Sequence, residues 1–236
     1  MSGYAILVCG LLVASLPVVY LLVPMGVKVL MRRRFLEKAR KSGSVCLTFD
    51  DGPDPQATPA VLALLSNYDV KATFFVVGEK IERHSDIVDA IIRAGHEVGG
   101  HGYSHAHPFS CGPIRSIAEV TRSDRAIGKF FAGREVSLYR PPFGKVNLFS
   151  LVVLWAKRKK LVFWDIDPRD YQQSSGESVA GYLIARLPAG NVILLHDGRT
   201  SSKGSSWTVT VSALKGFLEY AAENGVKFRT VGELVA

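Results

Sequence analysis

From Ser44 onward, apolar runs and amphipathic stretches alternate along the chain. Strand-like runs rich in Val, Leu, Ile and Phe fall near 45–49, 72–77, 97–99, 136–139, 161–164, 191–195 and 227–230. Helical spacing of apolar residues fills the intervals near 58–67, 80–93, 114–131, 147–158, 177–186, 208–223 and 231–235. Seven strand–helix units in succession predict an α/β fold on a mainly parallel sheet. An open doubly wound sheet and a closed barrel both fit that pattern. The stretch from Gly198 to Ser206 is rich in Gly and Ser and reads as a mobile loop.

The first 43 residues follow a different pattern. Residues 5–27 are uncharged and mainly apolar, and about 20 such residues span a bilayer as a helix. Pro17 and Pro24 would kink it, which membrane helices tolerate. A cleaved signal peptide carries its basic residues before the apolar core. Here they come after it, in a run from Lys28 to Lys41. The expected organisation is therefore a single-pass anchor at 1–30, a basic juxtamembrane linker at 31–43 and a folded domain at 44–236. Positive residues tend to stay on the cytoplasmic side, so the charges lean the domain toward that face, with binding to anionic headgroups as the other use for them.

Composition changes this picture in two places. Hydrophobic residues at 47% and charged ones at 21% describe a globular chain. The net charge is +8, but residues 28–41 hold seven basic side chains against Glu37, so six of the eight charges lie there. A nucleic-acid-binding surface needs basic residues spread over the folded domain, and that class is set aside. Cys9, Cys46 and Cys111 are odd in number and far apart, which fits neither a disulfide framework nor a cysteine zinc site.

The polar residues follow the strands. Asp50 and Asp51 come after the first run and His101 and His105 after the third. Arg140 comes after the fourth, Asp165, Asp167 and Asp170 after the fifth, and His196 and Asp197 after the sixth. In a parallel barrel those strand ends share one face, where active sites lie. Two adjacent carboxylates repel unless one is protonated or a cation sits beside them. The spacing of His101 and His105 lets both rings face one point. Gly102 supplies no general base, which excludes a His-Glu-x-x-His protease. With Asp51 the two histidines make a two-His, one-carboxylate set that leaves coordination positions for water or substrate. His84 reads as solvated, His96 as structural, and His107 as close to the site without being a ligand.

With these residues assembled, about 43–236 resembles the polysaccharide deacetylases with the NodB-homology domain, carbohydrate esterase family 4. Thr48-Phe49-Asp50-Asp51-Gly52-Pro53 is similar to the first family motif, His101-Gly102-Tyr103-Ser104-His105 to the second and Arg140-Pro141-Pro142-Phe143-Gly144 to the third. Asp167-Pro168-Arg169-Asp170-Tyr171 is similar to the fourth and Leu194-Leu195-His196-Asp197 to the fifth. The resemblance implies an irregular (β/α) barrel of the TIM type with about seven units. It implies Asp51, His101 and His105 as metal ligands, for zinc or else cobalt or nickel. Asp50 would be the general base, oriented by Arg140, and His196 the general acid, oriented by Asp170. Phe143 would offer its backbone N–H to an oxyanion, Tyr171 an aromatic wall and Leu194 a wall of the acetate pocket. The activity implied is removal of N-acetyl groups from an amino-sugar polysaccharide, oligosaccharide or lipid-linked sugar. The chain departs from the family at Gly102, where the second motif has a Ser or Thr whose hydroxyl braces the loop, and at Tyr171, where the fourth has Trp. A non-catalytic carbohydrate-binding relative is the alternative. An aspartyl-phosphate phosphatase fits poorly, because its two Asp are separated by one residue and it has no role for the histidines.

Overall fold

The computed structural model describes residues 3–133, 136–187, 190–198 and 207–235, with the backbone alone at 3, 5–19 and 21. The helix α1 runs through Gly3–Lys41 and leads into the strand β1 at Cys46–Asp50. There follow α2 (Ala57–Asn67), β2 (Thr73–Val76), α3 (Gly78–Arg83), α4 (Ser85–Arg93), β3 (Glu97–Gly100) and α5 (Pro113–Gly128). The chain continues through β4 (Leu138–Tyr139), α6 (Leu148–Ala156), β5 (Lys160–Leu161), α7 (Gly176–Arg186), β6 (Val192–His196), α8 (Trp207–Glu223) and α9 (Val231–Val235). The strands form one sheet in the order β5-β4-β3-β2-β1-β6, and every pairing is parallel. Parallel neighbours require helical crossovers that cover the sheet. A parallel bridge from Ile166, past β5, to Ile193 in β6 curls the sheet back toward its other edge.

The alternation of side chains along each strand decides what faces where. Leu47 and Phe49 in β1, Phe74 and Val76 in β2, Val98 in β3, and Ile193 and Leu195 in β6 point to one apolar layer. Its other half is Val61 and Leu65 of α2, Ile91 of α4, and Leu214 and Phe217 of α8. The intervening residues face the inside of the curl, where Cys46, Phe75, Leu138, Tyr139 and Phe163 form a second apolar cluster. Thr48 and Asp50 share the inner side with Cys46, and Leu194 and His196 share it with Val192. Asp50 and His196 stand at the carboxyl ends of their strands, where α/β folds bind ligands.

Several elements differ from expectation. The run at 227–230 keeps only a single bridge, Val45 to Phe228. The helical stretch expected at 80–93 breaks at His84, whose backbone (φ −136°, ψ 51°) ends α3 and begins α4. Of the loop expected to be mobile, residues 199–206 lie outside the described residues.

The single-pass anchor is corrected outright: among the described residues no helix is long and apolar enough to cross a membrane. The membrane as partner and the lean toward a cytoplasmic face go with it. The basic residues after the apolar run occupy the last turns of α1, where Phe35, Leu36 and Ala39 are buried in the inner cluster. Arg32 Nη2 donates to the Trp164 carbonyl at 2.9 Å, and Arg40 Nε lies 3.7 Å from Asp165 Oδ2. Two of these charges are thus held by the fold itself, which is why their position beside an apolar run misled the orientation argument.

Candidate active site

The register of β1 and β6 sets the centre. Asp50 pairs with His196 and Thr48 with Leu194, so the last inner-facing residues of two neighbouring strands stand side by side. Arg140, directly after β4, reaches across to them and is fully buried. Its Nη1 donates to Asp50 Oδ1 at 2.7 Å and to Thr48 Oγ1 at 2.8 Å. Thr48 Oγ1 in turn donates to the Ile193 carbonyl at 2.6 Å. The guanidinium stacks 4.2 Å from the Phe75 ring centroid and 5.4 Å from that of Trp164. An arginine in this position is locked by hydrogen bonds at its edge and by aromatic faces on its flank.

Asp51 turns away from Asp50 through a left-handed backbone step, φ 72°. Its Oδ1 lies 3.4 Å from His101 Nε2 and 3.1 Å from His105 Nε2. Asp50 Oδ2 lies 3.6 Å from the same His101 nitrogen. His101 Nδ1 is 2.7 Å from the Arg140 carbonyl. A carbonyl only accepts, so Nδ1 carries the proton and Nε2 is the nitrogen turned toward the two carboxylates, whose charges raise the His101 pKa against its burial. Two carboxylates and two ring nitrogens converging in this way offer a place for a cation. One donor atom from each of Asp51, His101 and His105 lies within 4.8 Å of the other two. That chemistry, two imidazoles and one carboxylate, fits a divalent ion with open positions, and a ligating histidine tied to a carbonyl through its other nitrogen is the usual support. Burial and the charge of His101 push His105 down to about 4, which keeps it neutral as a ligand must be.

A second pair stands beside this set. His196 Nδ1 lies 2.7 Å from Asp170 Oδ1, and the other carboxylate oxygen accepts from the His196 backbone N–H at 2.9 Å and from Thr210 Oγ1 at 2.7 Å. Burial alone would lower the imidazole, but the charge and hydrogen bond of Asp170, joined by Asp51 and Asp50, outweigh it and raise His196 to about 10. The ring is therefore protonated at neutral pH. Asp170 is fully buried. Asp165 and Asp167 do not join the site: Asp165 accepts from the backbone of Asn191 and Val192, and Asp167 from that of Arg169.

Two exposed aromatic rings flank these groups. Phe143 is 51% exposed and its ring lies 4.7 Å from that of His105. Tyr171 is 41% exposed and meets the His196 ring edge-on at 4.8 Å. Leu194 is buried on the same inner face. His96 is buried away from the site and accepts from the Ala72 N–H, and His107 stands 5.0 Å from the Phe143 ring, beside Lys145.

Sequence reasoning missed several supporting groups. Thr48 and Thr210 are ordinary hydroxyl residues whose roles depend on register and on a long crossover. Lys80 Nζ donates to the Asp51 carbonyl at 2.6 Å, fixing the turn that aims the carboxylate. Asp197 is buried beneath that turn, bonded to Thr58 Oγ1 at 2.6 Å, and burial raises it to about 7. The His196-Asp197 dipeptide was the available signal, but the two side chains point to opposite faces.

The chain is similar to known polysaccharide deacetylases. Residues 37–157 match the family model described as polysaccharide deacetylase. The chain is 35% identical over 196 residues to a peptidoglycan-N-acetylglucosamine deacetylase of Bacillus cereus, covering 81% of this chain and 87% of that one. It is 31% identical to a chitooligosaccharide deacetylase of a Bradyrhizobium species, covering 81% and 90%. Among solved structures it superposes on the peptidoglycan deacetylase PdaC of Bacillus subtilis with TM-score 0.71 and 26% identity, covering 81% and 89%.

Proposed function

The chain belongs to the polysaccharide deacetylase family, and on that footing we propose that it is a metal-dependent hydrolase removing N-acetyl groups from an amino-sugar glycan of the peptidoglycan or chitooligosaccharide type. The observation that carries the reading is the convergence of three buried groups of side chains: Asp51 with His101 and His105, Asp50 with Arg140, and His196 with Asp170. We read the curled sheet as an irregular (β/α) barrel whose seventh unit is reduced to the bridge at Phe228.

Hydrolysis of the acetamide forms a C–O bond from water and breaks the C–N bond, giving acetate and a free amine. Asp51, His101 and His105 would hold the divalent ion, with zinc the first choice and cobalt or nickel acceptable to the same donors. When bound, such an ion acidifies water and withdraws charge from a carbonyl oxygen. Asp50 takes the water's proton; Arg140 grips one of its oxygens and leaves the other toward His101. The Phe143 backbone N–H, presented by the short turn Pro142–Gly144, donates to the oxygen that gains charge. His196 gives a proton to the departing nitrogen, and Asp170 keeps that proton available at neutral pH. Leu194 lines the space for the acetyl methyl, and the exposed rings of Phe143 and Tyr171 offer apolar faces to the sugar.

The test is acetate release from N-acetylglucosamine oligomers and from peptidoglycan, with metal-loaded and chelator-stripped protein. Release by the loaded protein alone is expected. Absence of release from both substrates by the loaded protein would overturn the proposal.

A further inference from the structure

The loop between the two histidines is held from both sides. The carbonyls of Gly102 and Tyr103 accept from the backbone N–H groups of Gly78 and Glu79, at the start of α3, at 3.0 and 2.9 Å. The N–H groups of Tyr103 and Ser104 point the other way, to a single carboxylate. Glu119 Oε2, from α5, accepts both, at 3.1 and 2.9 Å. Its Oε1 accepts from Ser104 Oγ at 2.6 Å. Every polar group that Glu119 takes from this loop lies between His101 and His105.

This loop is conformationally demanding. Gly102 sits at φ +76° and His105 at φ 53°, so two of its five residues are left-handed. For a non-glycine residue such a conformation persists only where surrounding contacts fix it. Residue 102, a glycine, has no side chain with which to fix the turn. A Cβ added at 102 would lie 3.3 Å from Glu119 Oε2 and 3.2 Å from Pro142 Cγ, closer than ordinary contact. The absent side chain and the carboxylate therefore occupy neighbouring parts of one space: glycine at 102 leaves the room in which Glu119 meets the loop.

We infer that Glu119 is a positioning residue of the metal centre, bracing from α5 the loop between the two histidines, and that it sets metal affinity by holding His105 in register with His101 and Asp51. A ligand set held in place before binding loses less freedom when the ion arrives, and supporting residues of this kind commonly change metal affinity by about 10- to 100-fold. The inference rests on the metal-binding reading above.

Three variants test it by equilibrium titration with Co(II), followed by visible absorption, and by amide hydrogen exchange of the metal-free protein. Glu119→Ala is expected to weaken Co(II) binding at least about tenfold, with faster exchange at Tyr103 and Ser104 and unchanged exchange in β1 and β6. Glu119→Gln keeps a carbonyl oxygen for both N–H groups and is expected to bind within about threefold of the wild type. Glu119→Asp keeps the charge but shortens the reach, and carries the test if the alanine variant does not fold; it is expected to weaken binding with the same local exchange. Wild-type affinity in the alanine and aspartate variants would overturn the inference while leaving the metal site standing. No Co(II) binding by the wild type would overturn both.

Discussion

Replacing Arg140 with Met removes the positive charge that Asp50 faces inside the sheet. Both side chains are almost wholly buried, with 0% and 4% exposed. The guanidinium also supports Thr48 and stacks on Phe75. Breaking a buried pair from one side strands the other charge, which typically costs about 3–5 kcal/mol. Replacing both partners by apolar residues is often close to neutral. Arg140→Met should therefore lower the unfolding free energy by about 3–5 kcal/mol, a large share of the roughly 5–15 kcal/mol that holds a domain of ordinary stability. The Arg140→Met, Asp50→Val double variant should recover most of that loss. The coupling between the two sites should come out at about 2 kcal/mol or more. Urea unfolding at pH 7 in excess chelator is the assay, so that metal linkage does not enter. A single variant within about 1 kcal/mol of wild type, or a double variant no more stable than Arg140→Met, would show that the pair is not the desolvated ion pair described here.

His196→Gln should lower kcat by about 10²–10⁴ with little change in bound metal, and a steady-state assay with metal analysis checks both. Asp170→Asn removes the charge that raises His196 to about 10. A general acid works only while protonated, so the alkaline limb of the kcat profile should move to lower pH in that variant; an unmoved limb would separate it from His196. His96 gives a pH dependence unrelated to catalysis. Burial, aided by Lys71, lowers it from 6.5 to about 4, so the native state holds it neutral while the unfolded chain takes up a proton. Its contribution to stability is full above pH 6.5 and is lost as pH falls toward 4. His96→Asn retains an acceptor for the Ala72 N–H and should flatten that segment of the stability profile, measured by urea unfolding between pH 4 and 7.

Much of the fold was legible because its long elements repeat a simple period. β1, β2 and β6 are runs of mainly apolar residues, and α5 and α8 keep helical spacing over several turns. β4 and β5 were misjudged in length because each is reduced to two residues by the curl, and residues just outside them, such as Val162 and Phe163, are apolar for packing reasons. The break at His84 left no Pro or Gly to mark it. The side chains of the site could be anticipated because each stands at a strand's carboxyl end, where order along the chain translates into position on one face. Their supports could not. Thr210 reaches Asp170 from α8, and Glu119 reaches the histidine loop from α5, contacts set by how helices pack and not by any local pattern. The anchor expectation failed for a related reason: a basic stretch after an apolar run reads alike whether it meets lipid headgroups or, as with Phe35, Leu36 and Ala39 between its charges, packs against a protein core.

The central claim is that Asp50 acts as a base beside a metal it does not need to bind, while Asp51 and the two histidines bind it. Acetate release and bound metal should be measured on the same samples of wild type and Asp50→Asn, with N-acetylglucosamine oligomers as substrate. The account predicts equal metal content in the two proteins and a loss of about 10²–10⁴ in acetate release for the variant. Undiminished release by Asp50→Asn would contradict it, as would a variant that loses its metal along with its activity.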